Sequence, residues 1–361
     1  MSSMQSIALP KKPVRDSNIE LLRILTMFGV VILHYNNASM GGGFAYVAGG
    51  SINQMILKGL ESLFICAVNL FILISGYFSC NSKRAEPVKA FSLLLQVVVF
   101  GAIEYAVALA SGQAYSTIAL LKALLPSNYF VWLYIATYLL SPFINTLLSK
   151  LNRRQCGQFV LLCFLLFSAW PATMDLVQCF IPVDTTSMNT LGLFGSNAGY
   201  TITNFLLMYV IGAWLRISDF KVKKRYSLLV LILCTGLITL LSMKDEAYAW
   251  SYHTPLVIIE AAAAFTLFRQ ISFRSKVINF MAKGAFSCFL LHMLFIPYYN
   301  IEQAVGRSPL QLVGHVFFCA VSIYCFCFAV YLIYDLLAKP VVSLVDKLFR
   351  KTHLVIDLNK E

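Results

Sequence analysis

The sequence predicts an all-α polytopic membrane protein, a bundle of about ten transmembrane helices with both termini cytoplasmic, and two observations carry that prediction. Apolar residues fill 59% of the 361 positions and charged residues only 12%, a balance that no soluble domain of this length needs and that lipid-facing helices require. Mostly apolar stretches near the ~20 residues that cross ~30 Å of hydrocarbon recur along nearly the whole chain, with short polar gaps between them.

The spans fall in order at 19–35, 59–78, 90–110, 129–148, 159–180, 200–215, 227–242, 254–268, 277–298 and 312–338. The gaps test this register, because cytoplasmic loops collect Lys and Arg. With the N-terminus inside, one side receives 22 of the 28 basic residues and the other 4 (Lys58, Lys122, Lys244 and Arg307), leaving Arg23 and Lys283 inside spans. Segment 1–18 then reads as a cytoplasmic lead-in, 19–338 as the transmembrane domain and 339–361 as a basic cytoplasmic tail. The first apolar run lacks a small-residue cleavage site and reads as a retained anchor.

The net charge of +12 is divided among these loops rather than gathered into a patch, so it implies no nucleic-acid partner. The ten cysteines form no CxxC pair and lie mostly in apolar runs, as small buried residues rather than a disulfide framework or metal site. Two outer segments can contact an external substrate or serve as connectors: the Gly-rich one at 39–58, and the one after Phe180 that holds Asp184 and Asn197.

Function must then be read from polar residues inside the spans, since an Arg, Lys or Asp there costs at least ~2.5 to 3.5 kcal/mol and usually faces a bundle interior or a hydrated cavity. Glu20, Glu61, Asp175, His315 and Asp335 lie near span ends, where a side chain can reach water. Arg23 and His34 are eleven residues apart, which at ~100° per residue sets them within ~20° on one helix face and ~16 Å apart along its axis. His34 and His292 both fall ~22 to 24 Å from the cytoplasmic side, a depth at which they can share one cavity. Glu104 and Glu260 reach comparable levels, so the four residues form a candidate acid/base site in which a carboxylate orients an imidazole. For each histidine the competing reading is a structural hydrogen bond between helices.

These residues also carry a family resemblance. Asn18-Ile-Glu-Leu-Leu-Arg23, followed by ten residues and His34, resembles the first-helix motif of the membrane acyltransferase-3 family. Asn69-Leu-Phe-Ile-Leu-Ile-Ser75-Gly76-Tyr-Phe78 resembles its second-helix segment, Val131-Trp132-Leu133-Tyr134 with Pro142 its Trp-containing helix, and Ser287-Cys-Phe-Leu-Leu-His292 its late Ser-to-His segment. The likeness spans 18–297. It departs from many members after the second helix, where a basic Arg-x-x-Arg pattern is represented only by Lys83, Arg84 and Lys89.

The resemblance implies an integral, multi-pass enzyme of the cytoplasmic (inner) or plasma membrane. Such an enzyme transfers an acyl group, most often acetyl, from acetyl-CoA to a hydroxyl of a cell-surface polysaccharide or lipid-linked glycan precursor, with no metal. It assigns His34 as general base or transient acyl carrier and Arg23 to the anionic coenzyme, a role to which Lys83 and Arg84 are joined. Glu20 either supports Arg23 one turn away or is a helix-start carboxylate. Asn69, Ser75 and Gly76 either line a donor channel or pack helices together. Lys283 either snorkels or binds phosphate. A rival reading is a transporter or flippase of a lipid-linked sugar or small solute, since intramembrane His and Glu also build proton relays.

Overall fold

The computed structural model describes residues 16–112, 114–125, 128–181, 183, 197–352 and 355–358. Asp184, Lys11, Lys12, Arg15, Lys360 and the Asn197 side chain lie outside the described residues. The protein is 80% helical with almost no sheet. The α-helices of six residues or more are α1 (Ser17–Asn36), α2 (Ile52–Phe64), α3 (Ala67–Ser79), α4 (Pro87–Ala110), α5 (Thr117–Leu124), α6 (Tyr129–Ser149), α7 (Arg153–Phe164), α8 (Trp170–Phe180), α9 (Ile202–Ile217), α10 (Lys224–Ser242), α11 (Pro255–Arg269), α12 (Lys276–Met281), α13 (Ala285–Phe295) and α14 (Pro309–Lys351).

Their starts are written locally. Ser51, Asn128, Thr201 and Ser275 cap helices by accepting from a backbone N–H within the first turn, and Pro87, Pro255 and Pro309 occupy first-turn positions whose N–H groups have no helical partner.

Among the described residues eight helical segments are long and apolar enough to cross a bilayer, against about ten expected. The two remaining stretches are α9, with 16 residues, and α11, with 15; both are mostly buried. Two spans are broken: α2 stops at Phe64 and α3 restarts at Ala67, while a 3-10 turn at Ala282–Gly284 separates α12 from α13. α14 runs on to Lys351 through Pro340, well past the expected end at 338, because its later turns keep helix-forming residues. The tail then returns, and Ile356–Asp357 pairs antiparallel with Arg84–Ala85.

The tightest packing joins α3 to α9. A Cβ at Gly76 would meet the carbonyl of Tyr209, and one at Gly212 would meet the carbonyl of Leu73, so each glycine is what lets the backbones approach. This supports the packing reading of Gly76. α1 is central, with Gly29 seated against Phe64 and Met27, Val31, Ile32 and Tyr35 sealed from solvent. Large apolar side chains stay exposed on the periphery, including Leu161, Leu162, Leu229, Leu233, Ile333 and Leu336. In a chain with this many spans that belt faces lipid.

Candidate active site

Two histidines from different helices meet inside the bundle. His34, two residues before the end of α1, and His292, on α13, have ring centroids 4.6 Å apart. His34 Nδ1 lies 2.8 Å from the Val30 carbonyl oxygen and 3.0 Å from His292 Nε2, and His292 Nδ1 lies 2.9 Å from the Cys288 carbonyl oxygen. A carbonyl only accepts, so the network assigns a proton to each Nδ1, and His292 Nε2 accepts from His34. Nε2 of His34 is left as an unprotonated ring nitrogen. His292 is buried, while His34 is partly exposed.

Both rings line a cavity of about 740 Å³. Its wall is aromatic and acidic: Tyr129, Tyr200, Trp250 and Tyr252, with the carboxylates of Glu61 and Glu246. Asn36 Nδ2 donates to Glu61 at 2.9 Å, and Lys58 bridges Glu246 at 2.9 Å without itself lining the space. The tyrosines form a cluster, with centroids 4.4 Å apart for Tyr129 and Tyr200 and 4.8 Å for Tyr200 and Tyr252. Tyr252 is fixed through its backbone, which donates to Ala198 and accepts from Asn69 Nδ2 at 2.8 Å.

A second cavity, of about 380 Å³, opens toward the end of the bundle where α1 begins. Arg23, Lys89 and Lys283 line it with Ser75 and Tyr134, and among the described residues no carboxylate does. Arg23 is braced by Glu20 at 3.1 Å, the ion pair the one-turn spacing implied. Lys89 stands over the Tyr138 ring at 4.3 Å and the Tyr134 ring at 5.7 Å, so aromatic faces rather than acids hold its charge.

Not every expected site residue joins these cavities. Glu260 has the right depth but faces α10, where Thr235 Oγ1 donates to it at 2.6 Å; it lines neither cavity. Glu104 lies half-buried on α4, beyond that helix's buried residues Gln96, Val97, Phe100 and Gly101, and also lines neither. The expected convergence of two histidines with these two carboxylates is therefore corrected: the histidines meet and the carboxylates do not, because depth fixes height in a bundle and not direction around a helix. Lys83 and Arg84 sit at the short strand pair, where Arg84 bridges Glu86 at 3.1 Å, away from both cavities. Asn69 is buried and ties α3 to α9 by accepting from Asn204 at 3.0 Å, so it braces the wall rather than lining a channel. Trp132 is half-exposed on the bundle periphery, whereas Tyr134 lines the cationic cavity.

Sequence reasoning sets Glu61 aside as a span-end residue and names Lys89 only within the partial basic pattern after the second helix, with no site role of its own. The structure sets Lys89, in the first turn of α4, over the Tyr134 and Tyr138 rings of α6. A family model described as an acyltransferase domain, of the acyltransferase-3 type, matches residues 16–334. Comparison with curated proteins and with solved structures gives no match.

Proposed function

The chain belongs to the acyltransferase-3 family and is a membrane acyltransferase, and from that premise we propose that it moves an acetyl group from acetyl-CoA to a hydroxyl of a cell-surface polysaccharide or its lipid-linked precursor. The observation that carries this reading is the free Nε2 of His34, fixed in one tautomer by Val30 and His292 beside a cavity large enough for a saccharide. Arg23, Lys89 and Lys283 receive the phosphates of the coenzyme, because three cations with no lining carboxylate suit an anion and little else. The cationic end of the bundle faces the cytosol, in the cytoplasmic membrane.

His34 Nε2 takes the proton of the acceptor hydroxyl as its oxygen attacks the thioester carbonyl. The imidazolium that forms donates through Nδ1 to His292 Nε2, which spreads the charge without a buried anion. His292 is thus a positioning residue. Tyr129, Tyr200, Trp250 and Tyr252 offer flat faces to sugar rings, and Glu61 and Glu246 accept from sugar hydroxyls.

The test is incubation of membranes carrying the protein with labelled acetyl-CoA. Label is expected in an alkali-labile glycan ester with the unmodified chain and is lost with His34→Ala. Energy-dependent solute uptake with no labelled ester would replace this reading with transport.

A further inference from the structure

Four helices serve both cavities in the same order along the bundle, α6 giving Tyr134 and then Tyr129. α1 gives Arg23 to the cationic cavity and His34 to the histidine cavity; α3 gives Ser75 and then Val68; α13 gives Phe286 and then Met293. The cavities therefore stand end to end, and the eleven-residue step from Arg23 to His34 separates their marker residues by about 16 Å at the helical rise.

Among the described residues, Phe289 alone lines both. Its ring lies 4.8 Å from that of Phe130 and 6.4 Å from that of His292, and Phe130 meets Phe71 at 6.3 Å. A layer of three phenyl rings thus closes the cationic cavity on the side toward the histidines. These rings hold each other by packing alone, so rotation of one breaks no hydrogen bond, and a ring facing two cavities has space to turn into.

We propose that Phe289 is the valve between donor and acceptor compartments and fixes how the thioester is divided between transfer and hydrolysis. This rests on the acetyl-transfer reading above. In transfer, the acceptor oxygen bonds to the thioester carbonyl carbon, the carbon–sulfur bond breaks, and the proton held on His34 Nε2 passes to the departing thiolate, giving ester and thiol. If water takes the hydroxyl's place, the same electron movements give acetic acid and thiol. Phe289 suppresses that second course by filling the passage except when the slender thioester arm displaces its ring; the hydrated side then meets the donor only at His34.

The experiment follows label from acetyl-CoA into free acetate and into alkali-labile membrane ester, using membranes that carry the full chain and supply its native acceptor. Phe289→Ala is expected to raise the acetate-to-ester ratio about tenfold, since it opens the passage to water. Phe289→Leu keeps most of the bulk and is expected to raise it about threefold, which covers the case in which the alanine variant does not accumulate. Phe289→Trp is expected to slow ester formation with no rise in acetate. An unchanged ratio in an accumulated Leu or Ala variant that still forms ester overturns the valve. The outcomes separate cleanly: if the unmodified chain labels neither product the acetyl-transfer reading falls, whereas a labelled ester with a ratio indifferent to residue 289 removes only the valve.

Discussion

The two cavities are built from the same helices yet have opposite chemistry. Among the described residues, the one near the start of α1 is lined by Arg23, Lys89 and Lys283 and by no acid, whereas the one around His34 and His292 is lined by Glu61 and Glu246, the latter bridged by Lys58 from outside the lining. A soluble protein can mix signs freely because water screens them, but an ionisable group within a membrane span is retained against a cost. On the proposed reading, this sorting of charge by height along one bundle suits an anion at one level and a hydroxyl-rich ligand at the other. The tethering also differs. The cations are held by an ion pair and by aromatic faces, which leave them adaptable. The histidines are locked by backbone carbonyls, which leave one nitrogen for chemistry.

This contrast can be broken at several points. The largest effect is expected from His34→Ala, which removes the proposed base and should lower kcat/KM by about 10² to 10⁴ with donor binding retained, read by labelled-acetyl transfer beside acetyl-CoA binding. His292→Ala should lower kcat by about 10- to 100-fold with donor KM unchanged, because it loosens the tautomer of His34 rather than touching the thioester. Loss of donor binding instead would place His292 in the wrong compartment.

Sharpening the charge contrast calls for Lys89→Ala with Lys283→Ala. The pair should raise the acetyl-CoA KM about tenfold or more and weaken its dependence on ionic strength, with acceptor KM unmoved. Glu61→Gln should do the reverse, raising acceptor KM several-fold, about 1 kcal/mol for one hydrogen bond, with the donor unaffected. The smallest effects belong to residues outside both cavities: Glu260→Gln and the pair Lys83→Ala with Arg84→Ala should each leave kcat/KM within about twofold, because surface and remote polar changes seldom reach a site. A tenfold loss from any of these would mean that the site extends beyond the two cavities.

Much of this was legible in the residues, and the division follows a physical line. Height was readable by counting: with a fixed rise per residue, His34 and His292 fall at one depth, and their rings do meet. Direction was not, since it depends on which neighbour each helix face packs against; Glu260 stands at the right height but turns toward Thr235. Ends were misleading in another way. Glu61 looks free to reach water from its span, yet α2 breaks after Phe64 and Asn36 holds its carboxylate at the cavity wall. The break falls within an unbroken apolar run, so hydropathy carries no trace of it. α9 and α11 lie where spans were expected but are shorter than a free-standing span, because helices buried among others need no apolar length of their own.

The most direct measurement is an experimental structure of the protein with an acetyl-CoA analogue whose thioester sulfur is replaced by carbon, so that the arm is held before reaction. The phosphates are expected among Arg23, Lys89 and Lys283, the Phe289 ring rotated aside, and the carbonyl of the arm beside His34 Nε2 with space for one hydroxyl between them. An arm that ends at Glu260 or Glu104, or that never passes the phenyl layer, would contradict the assignment of His34 as the base.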